Sequence, residues 1–235
     1  MKRNWKILVC RCVHAKKLCG DVEIFARTMM PCMEGMTIVD DLCALAAKRD
    51  RRLLALGEEP DLRVVACRPR AVRWMLRAAG VDRGGNVRYF DFHQPPEEED
   101  LLAILGDGFL EPGRGRHIAH EGDWQGWFPV IDLDRCTGCK QCLNFCLFGV
   151  YALSGDGRVE VREPARCKPH CPACARVCPS LAIMFPKHGE RPIDGDEVRP
   201  EDLARTDLRV DPRNVARGDV LKALRDRQRS WPDED

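Results

Sequence analysis

The sequence has no long apolar run and no excess of charge of either sign. The apolar stretch at residues 7–10 is soon broken by Arg11, His14 and Lys16, so it is too short for a signal-peptide core or a membrane span. The 38 basic and 37 acidic side chains give a formal net charge of +1, which offers no electrostatic reason to bind nucleic acid. We therefore expect a cytoplasmic protein with no membrane span and no nucleic-acid partner.

The sequence also lacks the usual signatures of an independent catalyst. It contains no phosphate-binding loop, no convincing Ser/His/Asp arrangement and no paired-carboxylate site. It is rich instead in cysteine, with fourteen in all: eight between positions 136 and 178 and six within the first 67 residues. In a reducing cytosol, clustered thiols indicate metal binding rather than structural disulfides.

Strand and helix patterns alternate through the first 93 residues. The predicted strands are residues 6–13, 22–30, 62–67 and 87–92, and the predicted helices are residues 36–49 and 71–79. Gly80 ends the second of these helices. This alternation favours a small α/β domain, residues 1–93, built on a mainly parallel sheet.

The rest of the chain divides by composition into three segments. Gln94-Pro95-Pro96 opens a linker, residues 94–127, with a helix predicted over 98–105 and a connecting loop over 106–127. The cysteine-rich module covers residues 128–187. Residues 188–235 form a strongly charged tail with one predicted helix at 215–229, which has too few apolar positions to form a core alone.

The eight later cysteines fall into two similar runs. The runs are Cys136-Thr-Gly-Cys139-Lys-Gln-Cys142-Leu-Asn-Phe-Cys146 and Cys167-Lys-Pro-His-Cys171-Pro-Ala-Cys174-Ala-Arg-Val-Cys178-Pro179. Cysteines at three-residue intervals suit a loop that wraps one corner of an iron–sulfur cubane after another, while the last cysteine of the run points to the other cluster. A pair of zinc sites is the alternative, but zinc favours two separated cysteine pairs with a longer gap.

These runs and their flanking strands resemble the two-cluster bacterial ferredoxin family over residues 128–187. The resemblance implies an α+β ferredoxin-like domain of pseudo-symmetric βαββαβ order that binds two [4Fe–4S] clusters. By motif position, cluster I would be held by Cys136, Cys139, Cys142 and Cys178, and cluster II by Cys167, Cys171, Cys174 and Cys146. Strands are expected at residues 130–132, 149–153, 158–161 and 181–185.

Two departures from the family pattern lie in or beside the second cluster's ligands. Leu147 follows Cys146 where the family usually has proline, and three residues rather than two separate Cys167 from Cys171. The longer spacing bears on solvent access, on the potential and on whether Cys167 is a ligand. His170 is an alternative ligand for this loop; a surface histidine near a sulfur is the preferred interpretation.

The earlier cysteines allow a third site. Cys10 and Cys12 lie two apart on a predicted strand and so share a face. Cys32 follows the end of the strand predicted at 22–30, and Cys67 ends another strand. Because the carboxyl ends of parallel strands gather at one edge of a sheet, these four cysteines could meet there.

This region, residues 6–92, resembles the start of the flavin-carrying subunit of heterodisulfide reductases. The shared features are the Cys-x-Cys pair, a cysteine after the second strand, and the stretch Val64-Val-Ala-Cys67-Arg-Pro69-Arg. The resemblance implies a third [4Fe–4S] cluster held by Cys12, Cys32 and Cys67, with Cys10 as the best fourth ligand. A further cysteine downstream and a flavin-binding glycine motif have no counterpart here. Small buried hydrophobes, which suits Cys43 and Cys19, and redox-sensing thiols are the alternatives.

These features predict an electron-transfer protein, a subunit or accessory of a larger oxidoreductase, relaying single electrons through two [4Fe–4S] clusters and a third if the amino-terminal cysteines bind one. Its expected partners are redox proteins such as flavoproteins or oxidoreductase subunits. Two rival functions stay open. One is a reductase whose active site is the amino-terminal cysteine group, and the other is a redox or iron sensor whose charged tail contacts a partner.

Overall fold

The computed structural model describes residues 5–16, 18, 20–29, 34–82, 84–106, 113–205 and 208. In this part of the chain a five-stranded sheet comes first, followed by a smaller module with two short antiparallel strand pairs. The two parts share one hydrophobic core, which runs from the sheet strands through the helices on one face into the module.

The sheet is parallel throughout, with the strand order β4-β3-β1-β2-β5. Its strands are β1 (Lys6–Cys10), β2 (Met36–Val39), β3 (Leu62–Ala66), β4 (Val87–Asp91) and β5 (Arg116–Ile118). The chain passes from β1 to β2 on one side and then to β3 on the other, so the strand order reverses beside β1. Ligands of open α/β sheets bind in the crevice at such a reversal, outside the carboxyl ends of the strands.

Helices cover both faces of the sheet. They are α1 (Gly20–Met29), α2 (Leu42–Ala47), α3 (Arg51–Leu56), α4 (Pro69–Ala79) and α5 (Glu98–Leu105). Ile7 and Val9 of β1 pack in one core cluster with α1 and α5. Leu8 and Cys10 point to the opposite face, because side chains alternate along a strand, and pack with α2, α4 and the module.

The strand predicted at residues 22–30 is wrong, because this segment forms helix α1. The apolar side chains Val22, Phe25, Ala26 and Met29 recur at helical spacing and pack on the sheet. Asp21 and Glu23 stand in the first turn and Arg27 in the last, which favours a helix through its macrodipole. The β-propensity of Val, Ile and Phe outweighed this pattern in the prediction.

The helix predicted over residues 36–49 is also wrong in its first part. Residues Met36–Val39 are all buried and form strand β2, and the helix α2 begins only at Leu42. The carboxylate of Asp41 accepts a hydrogen bond from the backbone N–H of Ala44 at 3.1 Å and so caps this helix. The predicted connecting loop over 106–127 contains strand β5, which pairs with β2.

Strands β3 and β4 and helix α5 lie where they were expected. The strand predicted over 6–13 ends at Cys10, so Cys12, with a left-handed φ of 50°, follows the strand and does not share its face with Cys10 as predicted. Helix α4 ends at Gly80, whose φ of 90° is a left-handed conformation that glycine adopts without strain. Cys10 closes β1, and Cys67 follows β3 directly, so both are at the carboxyl edge of the sheet.

The module runs in the order β6, α6, β7, β8, α7, β9. The bounds are β6 (Val130–Ile131), α6 (Gln141–Phe145), β7 (Tyr151–Leu153), β8 (Val159–Val161), α7 (Ala173–Arg176) and β9 (Ile183–Met184). Strand β6 pairs antiparallel with β9, the last strand, and β7 pairs antiparallel with β8. These pairings bring the two ends of the module together beside α4.

The start of the charged tail packs on the rest of the molecule. Ile193 is buried, and the buried carboxylate of Asp194 accepts a hydrogen bond from Arg68 Nε at 3.2 Å. A short helix, α8 (Pro200–Ala204), follows. The helix predicted at 215–229 lies outside the described residues. Within the described part of the chain, no helix has the length and apolar character needed to cross a bilayer.

Arg70 of α4 makes a buried ion pair between the two parts of the chain. Its Nε lies 2.7 Å from Asp132 Oδ2, at the end of β6, and the two side chains are 2% and 4% exposed. Its other nitrogens donate to the carbonyl of Leu181 at 2.8 Å and to that of Asp196 at 3.1 Å. All three nitrogens of the guanidinium are thus used, two to attach the sheet to the module and one to attach it to the start of the tail.

We expect Arg70→Met to destabilise the protein by about 3–5 kcal/mol, because it leaves the carboxylate of Asp132 buried without its partner. The matched control is Arg88→Met, since Arg88 pairs with Asp61 at 2.6 Å but is 48% exposed and should contribute less than about 1 kcal/mol. Anaerobic urea unfolding of both variants checks this, and equal losses would contradict it.

Candidate iron–sulfur centres

The first cysteine run and the last cysteine of the second run surround one cavity. Cys136, Cys139, Cys142 and Cys178 line one small pocket, and Cys139 is exposed to solvent. Apolar side chains from β6, β8 and β9, such as Ile131, complete its wall. These four cysteines are the set expected for cluster I, and the structure brings them together.

Backbone N–H groups point at sulfurs of this group. The amide of Ala182 donates to Cys178 Sγ at 3.3 Å. Burial raises the pKa of Cys142 to about 11, although a hydrogen bond from the backbone of Leu143 acts in the opposite direction. Amide donors of this kind stabilise thiolate sulfurs and tune a cluster that they hold.

The second group consists of Cys146, Cys167, Cys171 and Cys174, and the structure places these residues close together as well. Burial raises the pKa of Cys167 to about 12, with further contributions from the neighbouring Cys171 and Cys146. Burial also raises the pKa of Cys174, which lies near the other three cysteines. This is the set expected for cluster II.

Tyr151 gives a test of whether a metal cluster suits this second group. Its hydroxyl is buried beside the thiol of Cys174, the group with which it can form a hydrogen bond. A hydroxyl in this position would donate to a thiolate, whereas a buried polar group without a partner carries a free-energy penalty. The residues therefore fit a cluster whose sulfur ligand accepts this bond.

The longer segment between Cys167 and Cys171 forms a turn that accommodates the additional residue. The backbone N–H of Cys171 donates to the carbonyl of Lys168 at 3.2 Å, and His170 adopts a left-handed φ of 60°. The ring of His170 packs against Trp127, with 5.2 Å between the centroids. The structure thus shows His170 in contact with an aromatic side chain.

Leu147 replaces the usual proline after Cys146. Its side chain is 92% exposed, and Phe145 and Phe148 beside it are about 40% exposed. The substitution therefore leaves apolar surface next to a cysteine of the second group. Exposed apolar patches of this kind mark contact sites more often than isolated side chains do.

The amino-terminal cysteines form a third group, which includes three of the four predicted members. Cys10, Cys12 and Cys67 converge at the carboxyl ends of β1 and β3, each 5–8% exposed. Burial is the main cause that raises the pKa of Cys10 to about 12, and the charge of the neighbouring Cys12 raises it further. The fourth predicted member, Cys32, lies outside the described residues.

Cys43 is the residue that the sequence analysis assigned to the apolar core. It lies in the first turn of α2 and is 5% exposed. Burial raises its pKa well above the ordinary value, and Cys67 and Cys12 are among the neighbours that add to the shift. The structure thus gathers Cys10, Cys12, Cys43 and Cys67, which we call the amino-terminal quartet.

The sulfurs are too far apart for a single ion. Among the described residues no three cysteine sulfurs lie within 4.8 Å of one another. A tetrahedral zinc site with Zn–S bonds of about 2.3 Å would place its sulfurs closer than that. Wider groups of four thiols fit a polynuclear cluster, whose irons each take one sulfur ligand.

One group in the described structure does have the spacing of a single metal ion. The ligand atoms of His14, Asp41 and His120 all lie within 4.8 Å of one another. Both oxygens of Asp41 are already bonded, Oδ1 to the N–H of Ala44 and Oδ2 to Lys187 Nζ at 2.5 Å. We interpret this group as a polar network between the sheet and the module.

Comparison with known proteins agrees with the geometry of the module. Residues 128–151 match the family described as "4Fe-4S binding domain". An uncharacterized ferredoxin of Methanocaldococcus jannaschii is 43% identical over 61 residues, 26% of this chain and only 41% of the relative. Subunit PorD of pyruvate synthase from Methanothermobacter marburgensis is 33% identical over 84 residues, 36% of this chain and 95% of the relative.

A ferredoxin of Methanothermococcus thermolithotrophicus is 39% identical over 56 residues, 23% of this chain and 90% of the relative. No solved structure matches the chain significantly. The module is therefore a 4Fe–4S ferredoxin-type domain with an iron–sulfur electron-transfer role. Through this domain the chain belongs to the 4Fe–4S ferredoxin family.

The raised thiol pKa values predict that the cluster-free protein loses stability in alkali. The pKa of Cys10 is about 12 in the folded chain against an ordinary 9.0. Between those values the unfolded chain binds fewer protons than the folded one, so the free energy of unfolding falls as pH rises. Below pH 9 the contribution of this thiol is fully present.

For Cys10 alone the loss is on the order of 1 kcal/mol for each pH unit above 9. Urea unfolding of the chelator-treated, reduced protein at pH 8 and pH 10 measures it. Cys10→Val removes the thiol at similar volume. In this variant the free energy of unfolding should change less between pH 8 and pH 10 than in the unaltered protein. If the free energy of unfolding changes equally between the two pH values in both proteins, the pKa of Cys10 is not raised.

Proposed function

We propose that the chain is an electron-transfer component of a multi-subunit oxidoreductase and relays single electrons through three [4Fe–4S] clusters. The observation that carries the proposal is the convergence of twelve cysteines in three separate groups of four, all of them free thiols. A bound [4Fe–4S] cluster supplies one-electron chemistry, at a potential that its surroundings tune.

In the ferredoxin-type domain, we assign Cys136, Cys139, Cys142 and Cys178 to cluster I. Cys146, Cys167, Cys171 and Cys174 are assigned to cluster II. Support comes from the cavity that the first set lines and from the mutual proximity of the second set. The order β6, α6, β7, β8, α7, β9 supports the pseudo-symmetric βαββαβ arrangement, in which each run gives its last cysteine to the other cluster.

For the amino-terminal quartet we propose a third cluster, with Cys43 in the place first given to Cys32. The quartet lies where β1 and β3 end, at the reversal of strand order that forms ligand sites in open α/β sheets. Backbone amides of Leu42 and Cys12 act on the sulfur of Cys10, as they do at metal-bound thiolates. The resemblance to the heterodisulfide reductase subunit supports the same assignment.

The protein's own residues then control how electrons pass. Buried apolar side chains keep water from the quartet, the amides near Cys10 and Cys178 stabilise thiolate charge, and Tyr151 offers a hydroxyl to Cys174. The burial of all four quartet sulfurs does not favour a reductase whose substrate must reach them. We therefore prefer a relay to an amino-terminal active site.

The proposed partners are redox proteins, either flavoproteins or other subunits of an oxidoreductase. Support comes from the two PorD relatives, which are named as pyruvate synthase subunits. The second of these is 31% identical over 62 residues and belongs to Methanocaldococcus jannaschii. A reducing cytosol is the proposed location, because free thiols in these numbers do not persist in oxidising compartments.

Iron and sulfide analysis of anaerobically purified protein tests the proposal. We expect about twelve iron atoms per chain, four for each cluster. Cys43→Ser should lower the content to about eight and remove one EPR signal of the reduced protein. About eight iron atoms in the unaltered protein would contradict the third cluster, and the absence of iron would overturn the whole proposal.

Cys32→Ser is the matched control for Cys43→Ser, because the two cysteines are the rival candidates for one ligand position. We expect the control to keep about twelve iron atoms and every EPR signal. If Cys32→Ser loses four iron atoms while Cys43→Ser keeps them, the ligand set first expected from the sequence replaces the quartet.

A further inference from the structure

Lys187 reaches from the end of the ferredoxin-type domain to the start of α2, the helix that carries Cys43 of the amino-terminal quartet. It follows β9, and its side chain is only 6% exposed. Its ammonium group donates to Asp41 Oδ2 at 2.5 Å and to the carbonyl of Gln125. Asp41 caps α2, the helix that carries Cys43, so the ammonium group is fixed against that helix.

The cysteines contribute to the electrostatic surroundings of Lys187. Burial by itself would lower the pKa of this ammonium group, but Cys43, Asp41 and Cys12 raise it, and the net shift is upward. The carboxylate of Asp41 and the carbonyl of Gln125 both accept from Nζ, which keeps Lys187 in its charged form although it is buried. A buried charge interacts strongly with its neighbours, because little water screens it.

Residues 125–127 also lie between helix α2 and the ferredoxin-type domain. At Gly126 the backbone lies so close to α2 that an added Cβ would be 2.7 Å from the nitrogen of Ala44. The next residue, Trp127, packs with its ring 5.2 Å from His170, in the loop between Cys167 and Cys171. Gly126 and Trp127 thus connect helix α2, which carries Cys43, to the loop between Cys167 and Cys171.

We propose that Lys187 is a positioning residue that raises the reduction potential of the amino-terminal cluster, so that electrons move to it from the ferredoxin-type domain. In this step one cluster of the domain loses one electron and the amino-terminal cluster gains it. The gained negative charge is stabilised by the fixed ammonium group. The inference rests on the third cluster of the proposed function.

The test is an EPR-monitored redox titration of the complete, cluster-loaded protein. Lys187→Met removes the charge, keeps most of the side-chain length and leaves the carboxylate of Asp41 facing the quartet. We expect the equilibrium constant for reducing the amino-terminal cluster to fall at least tenfold, which is a potential lower by 59 mV. Lys187→Arg keeps the charge and should stay closer to the unaltered value.

Asp41→Asn supplies the opposite change and keeps an oxygen that can cap α2. It removes the negative charge beside Lys187, so the potential of the same cluster should rise. Lys48→Met is the matched control, because Lys48 ends α2 but is exposed to solvent, where charges are screened. It should leave the potential unchanged.

Each result decides between distinct conclusions. Opposite shifts in Lys187→Met and Asp41→Asn, with iron content retained, support the inference. If Lys187→Met does not retain the cluster, the test is the reduction potential in Asp41→Asn: a higher potential supports the inference, and an unchanged one overturns it. A full set of EPR signals with unshifted potentials overturns the role of Lys187 alone, whereas a third signal missing from the unaltered protein overturns this role together with the third cluster.

Discussion

The guanidinium group of Arg70 lies between the parallel sheet and the ferredoxin-type domain, and the relative position of the cysteine groups depends on it. Arg70 stands three residues after Cys67, and its partner Asp132 stands four residues before Cys136. The other oxygen of Asp132 accepts the backbone N–H groups of Asp134 and Arg135 at 3.1 and 3.2 Å. One buried ion pair thus fixes both the end of β3 and the loop that starts the first cysteine run.

A second consequence of this attachment is that cysteines from distant parts of the sequence become neighbours in a region with little water. Burial disfavours the thiolate and raises the pKa of such thiols, as it does for Cys10 and Cys167. Metal ligation requires the thiolate, so the fold must stabilise that form locally. The amide donors and the buried Lys187 ammonium group supply positive charge where it is needed.

The sequence was most informative where the relevant spacing is local. Cysteines three residues apart, as from Cys136 to Cys142, follow one another around a loop in any fold, so three members of the first group could be predicted from spacing, while the exchange of the fourth cysteine between the groups came from the resemblance to two-cluster ferredoxins. Strands β1 and β3 were predictable because each is a short, mostly apolar run, and β4 because it is rich in β-branched and aromatic residues. Cys67 was placed correctly since it directly follows one of these strands.

Features that depend on tertiary contacts were harder to predict. Cys43 reaches the quartet only because β2 ends at Val39 and α2 starts shortly afterwards, a division that the helix-period spacing of apolar residues over 36–49 conceals. Strand β5 has three residues, two of them exposed, and exists through its pairing with β2. Short edge strands of this kind carry almost no pattern of their own.

The three cysteine groups differ in exposure, so the proposed relay has a solvent-exposed end and a buried end. Cys139 is open to solvent, and Cys146 lies beside the exposed Leu147, whereas every sulfur-bearing residue of the quartet is 5–8% exposed. Among the described residues, each of the first two groups has a member at or beside the solvent-exposed surface, whereas every member of the quartet is buried. We therefore infer that electrons are exchanged with partners through the ferredoxin-type domain, and that the quartet communicates with them across the region of Trp127 and Lys187.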